Sequence, residues 1–153
     1  CMHCMGVSSI GMEEEKYYRL TYGVTKSLVD ILYDLNPRMI VQYISGDGTD
    51  SSENGSVMWA RIKGKTENMI FQKGFKDAYA IRIGGVLPVK GVKSKTGWVK
   101  LIYTIFRPLF FLFEKSSSII RSDQLGQSMI RICQQPFTKK KLENKDLLEV
   151  IRN

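Results

Sequence analysis

Met39-Ile40-Val41-Gln42-Tyr43-Ile44-Ser45 is the stretch on which the fold turns. It has strand length, is rich in β-branched and aromatic residues, and is bounded by Asn36-Pro37 before it and Gly46-Asp47-Gly48 after it. Its apolar character is nearly continuous rather than alternating, which predicts a strand covered on both faces and hence a parallel sheet. Upstream, residues 13–35 open with Glu13-Glu14-Glu15, suited to a helix N-terminus, and carry Tyr17, Leu20, Val24, Leu28, Ile31, Leu32 and Leu35 at spacings of three and four. That amphipathic helix ends at Asn36-Pro37. A first short strand is expected around Met2–Met5. Downstream, a polar turn from Thr49 to Gly55 leads to a second helix, with Trp59, Ile62, Thr66, Met69 and Ile70 on one stripe and Ser56 as its cap. Ala78-Tyr79-Ala80-Ile81-Arg82-Ile83 then reads as another strand, closed by Gly84-Gly85.

The order strand, helix, strand, helix, strand with short connections demands right-handed parallel crossovers. The expected fold is therefore α/β, a three-layer, doubly wound parallel sheet of which the chain holds the C-terminal half only. Met39–Ser45 and Tyr79–Ile83 are expected to be parallel neighbours, with the helices at 13–35 and 56–72 packed on the sheet. Residues 1–135 form this partial domain. Ser122–Cys133 reads as a further helix within it, and residues 136–153 form its C-terminal end, a basic linker Lys139-Lys140-Lys141 followed by a short helix near Asp146–Ile151.

Composition narrows the function. With 153 residues, 43% of them apolar and 25% charged, the chain builds a hydrophobic core and is not a disordered segment. The net charge of +8 is uneven: residues 1–54 hold 4 Lys/Arg against 8 Asp/Glu, and residues 55–153 hold 19 against 7. The basic residues are dispersed, without a zinc finger, stacking aromatics or a helix-turn-helix pattern, so no nucleic-acid partner is expected. Three cysteines are too few for a disulfide framework, and the odd count fits a reducing, cytoplasmic setting. Cys1-x-x-Cys4 has metal spacing but no second pair, and reads as a buried strand end; no metal is expected. Residues 97–114 are strongly apolar but broken by Lys100, Arg107 and Pro108, short of the ~20 uninterrupted apolar residues of a spanning helix. Packing or contact within a homo-oligomer is their simplest use, and membrane-surface contact, with Lys90, Lys93 and Lys95 beside them, is the less favoured one. Opening on Cys1 rather than Met, the chain is expected to lack some upstream sequence.

In an open α/β sheet the ligand crevice lies at the carboxyl ends of the strands, which is where Ser45 falls. Four short motifs occur in order: Cys4-Met5-Gly6, Tyr43-Ile44-Ser45-Gly46, Trp59-Ala60-Arg61-Ile62-Lys63-Gly64 and Arg82-Ile83-Gly84. In this order they resemble the C-terminal half of the short-chain dehydrogenase/reductase superfamily, and more narrowly its atypical, NAD(P)H-binding and epimerase-like members, from about Cys4 to Leu87. The resemblance implies a Rossmann-type fold and a nicotinamide cofactor, NAD or NADP. It also implies a small-molecule substrate and hydride transfer between nicotinamide and a carbonyl or alcohol. It places Ser45 and Lys63 in the catalytic set, and Gly6, Lys63 and the Gly84 backbone against cofactor. The family's glycine-rich phosphate loop, on the first strand of a complete fold, does not occur in this sequence, so tight binding is expected to need it from upstream. Gly46-x-Gly48-x-x-Ser51 does not replace it, because Asp47 and Asp50 stand where a pyrophosphate needs donors without nearby anions.

Trp59 holds the position of the family's catalytic tyrosine. An indole N–H donates a hydrogen bond but is no practical acid or base, so Trp59 is expected to line the substrate cleft instead. Tyr43, two residues before Ser45 and on the same side of the strand, is the weak alternative proton donor. Three uses follow: an oxidoreductase or epimerase-like enzyme with a substitute acid, a catalytically idle nucleotide-binding or sensing module, and a peripheral membrane protein.

Overall fold

Ile40–Gly46 (β2) is an inner strand of a four-stranded, wholly parallel sheet in the computed structural model, which describes residues 1–89 and 119–152. The other strands are Met2–His3 (β1), Asp77–Ile83 (β3) and Lys141–Glu143 (β6), in the order β1-β2-β3-β6. β2 and β3 are parallel along their whole length, Ile40 opposite Asp77 and Ser45 opposite Arg82. The pairing expected of Met39–Ser45 and Tyr79–Ile83 is thus the one found. A separate parallel pair joins Gly85–Leu87 (β4) to Ile119–Arg121 (β5). The helices are Glu14–Tyr18 (α1), Val24–Leu35 (α2), Met58–Gln72 (α3), Ser122–Gln134 (α4) and Asn144–Arg152 (α5), with a π-helical turn, Arg19–Gly23, between the first two. The protein is α/β with a parallel sheet.

Two clusters of buried side chains hold these elements together. Val41, Tyr43 and Ala78 pack with Val29 of α2 and Ile70 of α3. Tyr79, Ile81 and Leu142, with Ile40 and Ile44, pack with Ile132 of α4 and with Leu147 and Val150 of α5. Odd and even positions of β2 therefore enter different clusters, which is what a near-continuous apolar run requires.

Several expectations are corrected. Lys141, assigned to a basic linker, begins a strand whose central Leu142 is wholly buried. Ser56 does not cap α3, since Val57 takes that place without a side-chain bond. Cys1 and Cys4 are exposed, not a buried strand end; only His3 beside them is covered. The first helical segment is rotated from the expected stripe: Tyr17 of that stripe is buried and Leu20, Leu28 and Leu32 are half-buried, but Val24, Ile31 and Leu35 are exposed, while Thr21, Thr25 and Val29 are buried in their stead. The physical reason is on β1, where the buried His3 ring finds its partner in Thr25, Nε2 to Oγ1 3.0 Å, so the threonine face must lie on the sheet. Residues 97–114 lie outside the described residues, and among those described no helix is long and apolar enough to cross a membrane.

Candidate functional site

α3 presents Trp59, Lys63 and Glu67 four residues apart, so one side of the helix carries all three toward the sheet. Lys63 reaches the carboxyl half of β2: its Nζ donates to Ile44 O at 3.4 Å and stands 5.3 Å from the centre of the Tyr43 ring. Burial draws the Lys63 ammonium below its ordinary pKa, and Glu67 opposes the shift. Glu67 is itself buried, and its carboxylate is committed to Arg82 of β3, which donates Nε to Oε1 at 3.1 Å and Nη2 to Oε2 at 2.6 Å. Lys63 is thus a cation held over an aromatic face, with the carboxylate of Glu67 already engaged by Arg82.

Tyr43 lies in the core beneath it. Tyr43 is 1% exposed, and burial raises its pKa, with the nearby Thr66 hydroxyl opposing the shift. A phenol so placed meets no substrate and serves Lys63 as a floor, not as an acid. His3 stacks on the same ring, centroids 5.6 Å apart, and burial first and Lys63 second lower its pKa.

Trp59 covers the end of β2: a Cβ on Gly46 would lie 3.2 Å from its six-membered ring, so glycine there lets the indole close over the strand. Ser45 is buried, its Oγ 2.9 Å from Thr49 Oγ1. Thr49 spends its one hydroxyl proton on Gly46 O, 2.6 Å away, so Ser45 must be the donor in the pair. In this arrangement Ser45 has no proton left with which to polarise a substrate carbonyl. Ser45 and Lys63 thus flank the same strand end, one bonded to Thr49 and the other to Ile44 O. Gly6 and Gly84 are exposed, and nothing lies within 4 Å of a Cβ built on Gly6, so a ligand can approach its backbone.

The glycine after Lys63 has a steric cause. The loop leaving β2 lies against α3, with Asp50 N donating to Ala60 O at 3.1 Å, and a Cβ on Gly64 would fall 1.7 Å from Asp50 O. The same loop makes a poor phosphate cradle, because the amides of Asp47, Thr49 and Asp50 donate to Ile83 O, Gly46 O and Ala60 O. Those three amides are therefore not free to receive an anion.

Sequence reasoning gave no role to His3 or Glu67, took Arg82 only as part of a strand-end motif, and took Lys141 as linker. Glu67 left a trace, four residues after Lys63 on the same face; the others become visible only once the strands are side by side. Comparison with protein-family models and with curated proteins finds no match for this chain.

Proposed function

We propose that the protein binds a nicotinamide nucleotide, NAD or NADP, as an atypical member of the short-chain dehydrogenase/reductase type. In this reading the four parallel strands are the second half of a three-layer Rossmann-type sheet, with α2 and α3 on one face and α4 and α5 on the other. The observation that carries it is Lys63, four residues after Trp59 and held by Ile44 O and the Tyr43 ring at the carboxyl end of an inner parallel strand. A solvated helix lysine would have no reason to accept that burial.

Lys63 would hold the ribose end of the nucleotide, and the exposed backbones at Gly6 and Gly84 would line its path. When bound, the cofactor supplies hydride chemistry to a small-molecule carbonyl or alcohol. Two observations favour a binding or sensing role over turnover. Trp59 stands where an acid is needed, and the Ser45 proton is given to Thr49. The free cysteines suit a reducing compartment such as the cytoplasm.

Titrating NADH and NADPH by fluorescence, with Lys63→Met as control, tests the binding claim; the same binding by both proteins would refute the role of Lys63. Cofactor oxidation across a panel of aldehydes and ketones separates sensor from enzyme. Binding without oxidation is the expected result, and turnover that survives Ser45→Ala would require another proton source.

A further inference from the structure

Ser51, in the loop after β2, accepts two charged hydrogen bonds on one neutral oxygen: Arg82 Nη2 donates to its Oγ at 2.6 Å and Lys141 Nζ at 2.7 Å. Glu67 is buried and answers Arg82. Glu143, the register neighbour of Arg82, pairs with Lys145, while the Asp50 and Glu53 carboxylates in the loop keep their charge and accept from the neutral donors Ser52, Gly55 and Asn68. Among the described residues Lys141 pairs with no carboxylate and spends its ammonium on the Ser51 hydroxyl. Donors are also left over, because among the described residues Arg82 Nη1 makes no hydrogen bond and Lys141 Nζ makes only the one to Ser51. A hydroxyl uses two lone pairs there, whereas an anionic group with three acceptor oxygens would use the rest.

We propose that Ser51 is a phosphorylation site and that Arg82 and Lys141 form the receptor for its phosphate. The donor is a nucleoside triphosphate delivered by a protein kinase. The bond from Ser51 Oγ to the γ-phosphorus forms, the β,γ-bridging P–O bond breaks, the nucleoside diphosphate departs, and the hydroxyl proton passes to the kinase's base and then to water. Ser51 is half-buried beneath its two cations, and the loop that carries it is within a kinase's reach, since Asp47, Gly48, Ser52, Asn54, Ser56 and Val57 are all exposed. Once added, the phosphate carries about −1.5 to −2 charges at neutral pH. The spare Nη1 and Nζ hydrogens receive it while Nε and Nη2 stay on Glu67, so the buried carboxylate keeps its partner. The modification clamps the loop to β3 and β6 and so fixes the segment that carries Thr49 and lies on Gly64, next to Ser45.

The test is to install phosphoserine at position 51 by genetic code expansion, with phosphoserine at the exposed neighbour Ser52 as control. The expected result at 51 is a melting temperature raised by about 4 °C and a ³¹P titration midpoint below the ordinary second phosphate pKa of about 6. Both effects should disappear in Lys141→Gln, and neither should appear with phosphoserine at 52. A midpoint at the ordinary value, or a lowered melting temperature, would overturn the proposal. So would protein from its own cells phosphorylated at Ser52 or Ser56 and never at Ser51.

Discussion

Half-burying a lysine ammonium against a tyrosine ring, while the nearby carboxylate serves an arginine, costs part of its hydration. Lys63→Met keeps the aliphatic stem and removes the charge. It is expected to raise stability by about 1 kcal/mol, roughly 2–4 °C in melting temperature for a chain of this size, while NAD(P)H binding is lost. Calorimetry beside nucleotide titration checks both, and a destabilised variant would make Lys63 a structural cation. His3 has the opposite kind of burial, a ring kept neutral. Its folded pKa lies below the ordinary imidazole value of about 6.5. The unfolded chain therefore gains a proton on acidification before the folded one does. The stability tied to neutral His3 is complete above about pH 6.5, falls as pH drops toward the folded value, and is gone below it. Urea midpoints between about pH 7.5 and pH 5 should show this slope in the wild type and a flatter one in His3→Gln. Ser45, Trp59 and Lys63 were legible in the sequence because their order carries a pattern. His3 and Glu67 were not, because a lone histidine and a helical glutamate mean nothing until β1 and β3 bring Tyr43 and Arg82 against them.

At the scale of elements, legibility followed length. β2 and β3 each have seven residues of strand, enough to show β-branched character and bounding turns. β6 has three residues, and its one apolar member, Leu142, hides between Lys141 and Glu143. The first helix was found but turned wrongly, because an apolar stripe says which residues can be buried and not whether a partner is present. Thr21 and Thr25 went inward with His3, which left Val24, Ile31 and Leu35 exposed and Leu20, Leu28 and Leu32 half-buried. The Lys63-Gly64 pair was also legible, and the structure supplies its cause. Gly64→Ala gains up to about 1 kcal/mol of helix propensity, but the new methyl must displace the Asp50 carbonyl, a backbone atom that cannot swing aside. Overpacking of this kind costs about 1–3 kcal/mol or more. The clash wins, and chemical denaturation should show a net loss of about 2 kcal/mol. An unchanged or raised midpoint would mean that the loop does not rest on the helix in solution.

The last consequence belongs to the whole molecule. β1 stands at one edge of the sheet, and its outer side pairs with no strand among the described residues; at two residues it is too short to template much association by itself. The exposed apolar side of α2 is the greater liability, with Ile31 59% and Leu35 76% accessible and Val24 in line with them. In the complete doubly wound sheet of the proposed reading, a strand bearing the glycine-rich loop lies beyond β1 and its neighbouring elements screen α2. In that reading one further unit would both cover the stripe and supply the donors that the engaged amides of Asp47, Thr49 and Asp50 do not. The 153-residue chain is expected to self-associate in light scattering and to bind NAD(P)H weakly, whereas a longer chain carrying that upstream unit should be monodisperse and bind tightly. Replacing Ile31 and Leu35 by lysine separates the two effects. The paired substitution should disperse the 153-residue chain, because it removes the sticky stripe, and leave its nucleotide affinity low, because lysines on α2 add no donors at the phosphates. A chain that is monomeric without the substitutions, and binds NAD(P)H as tightly as the longer one, would show that α2 needs no cover and that the phosphate-binding groups lie within these residues.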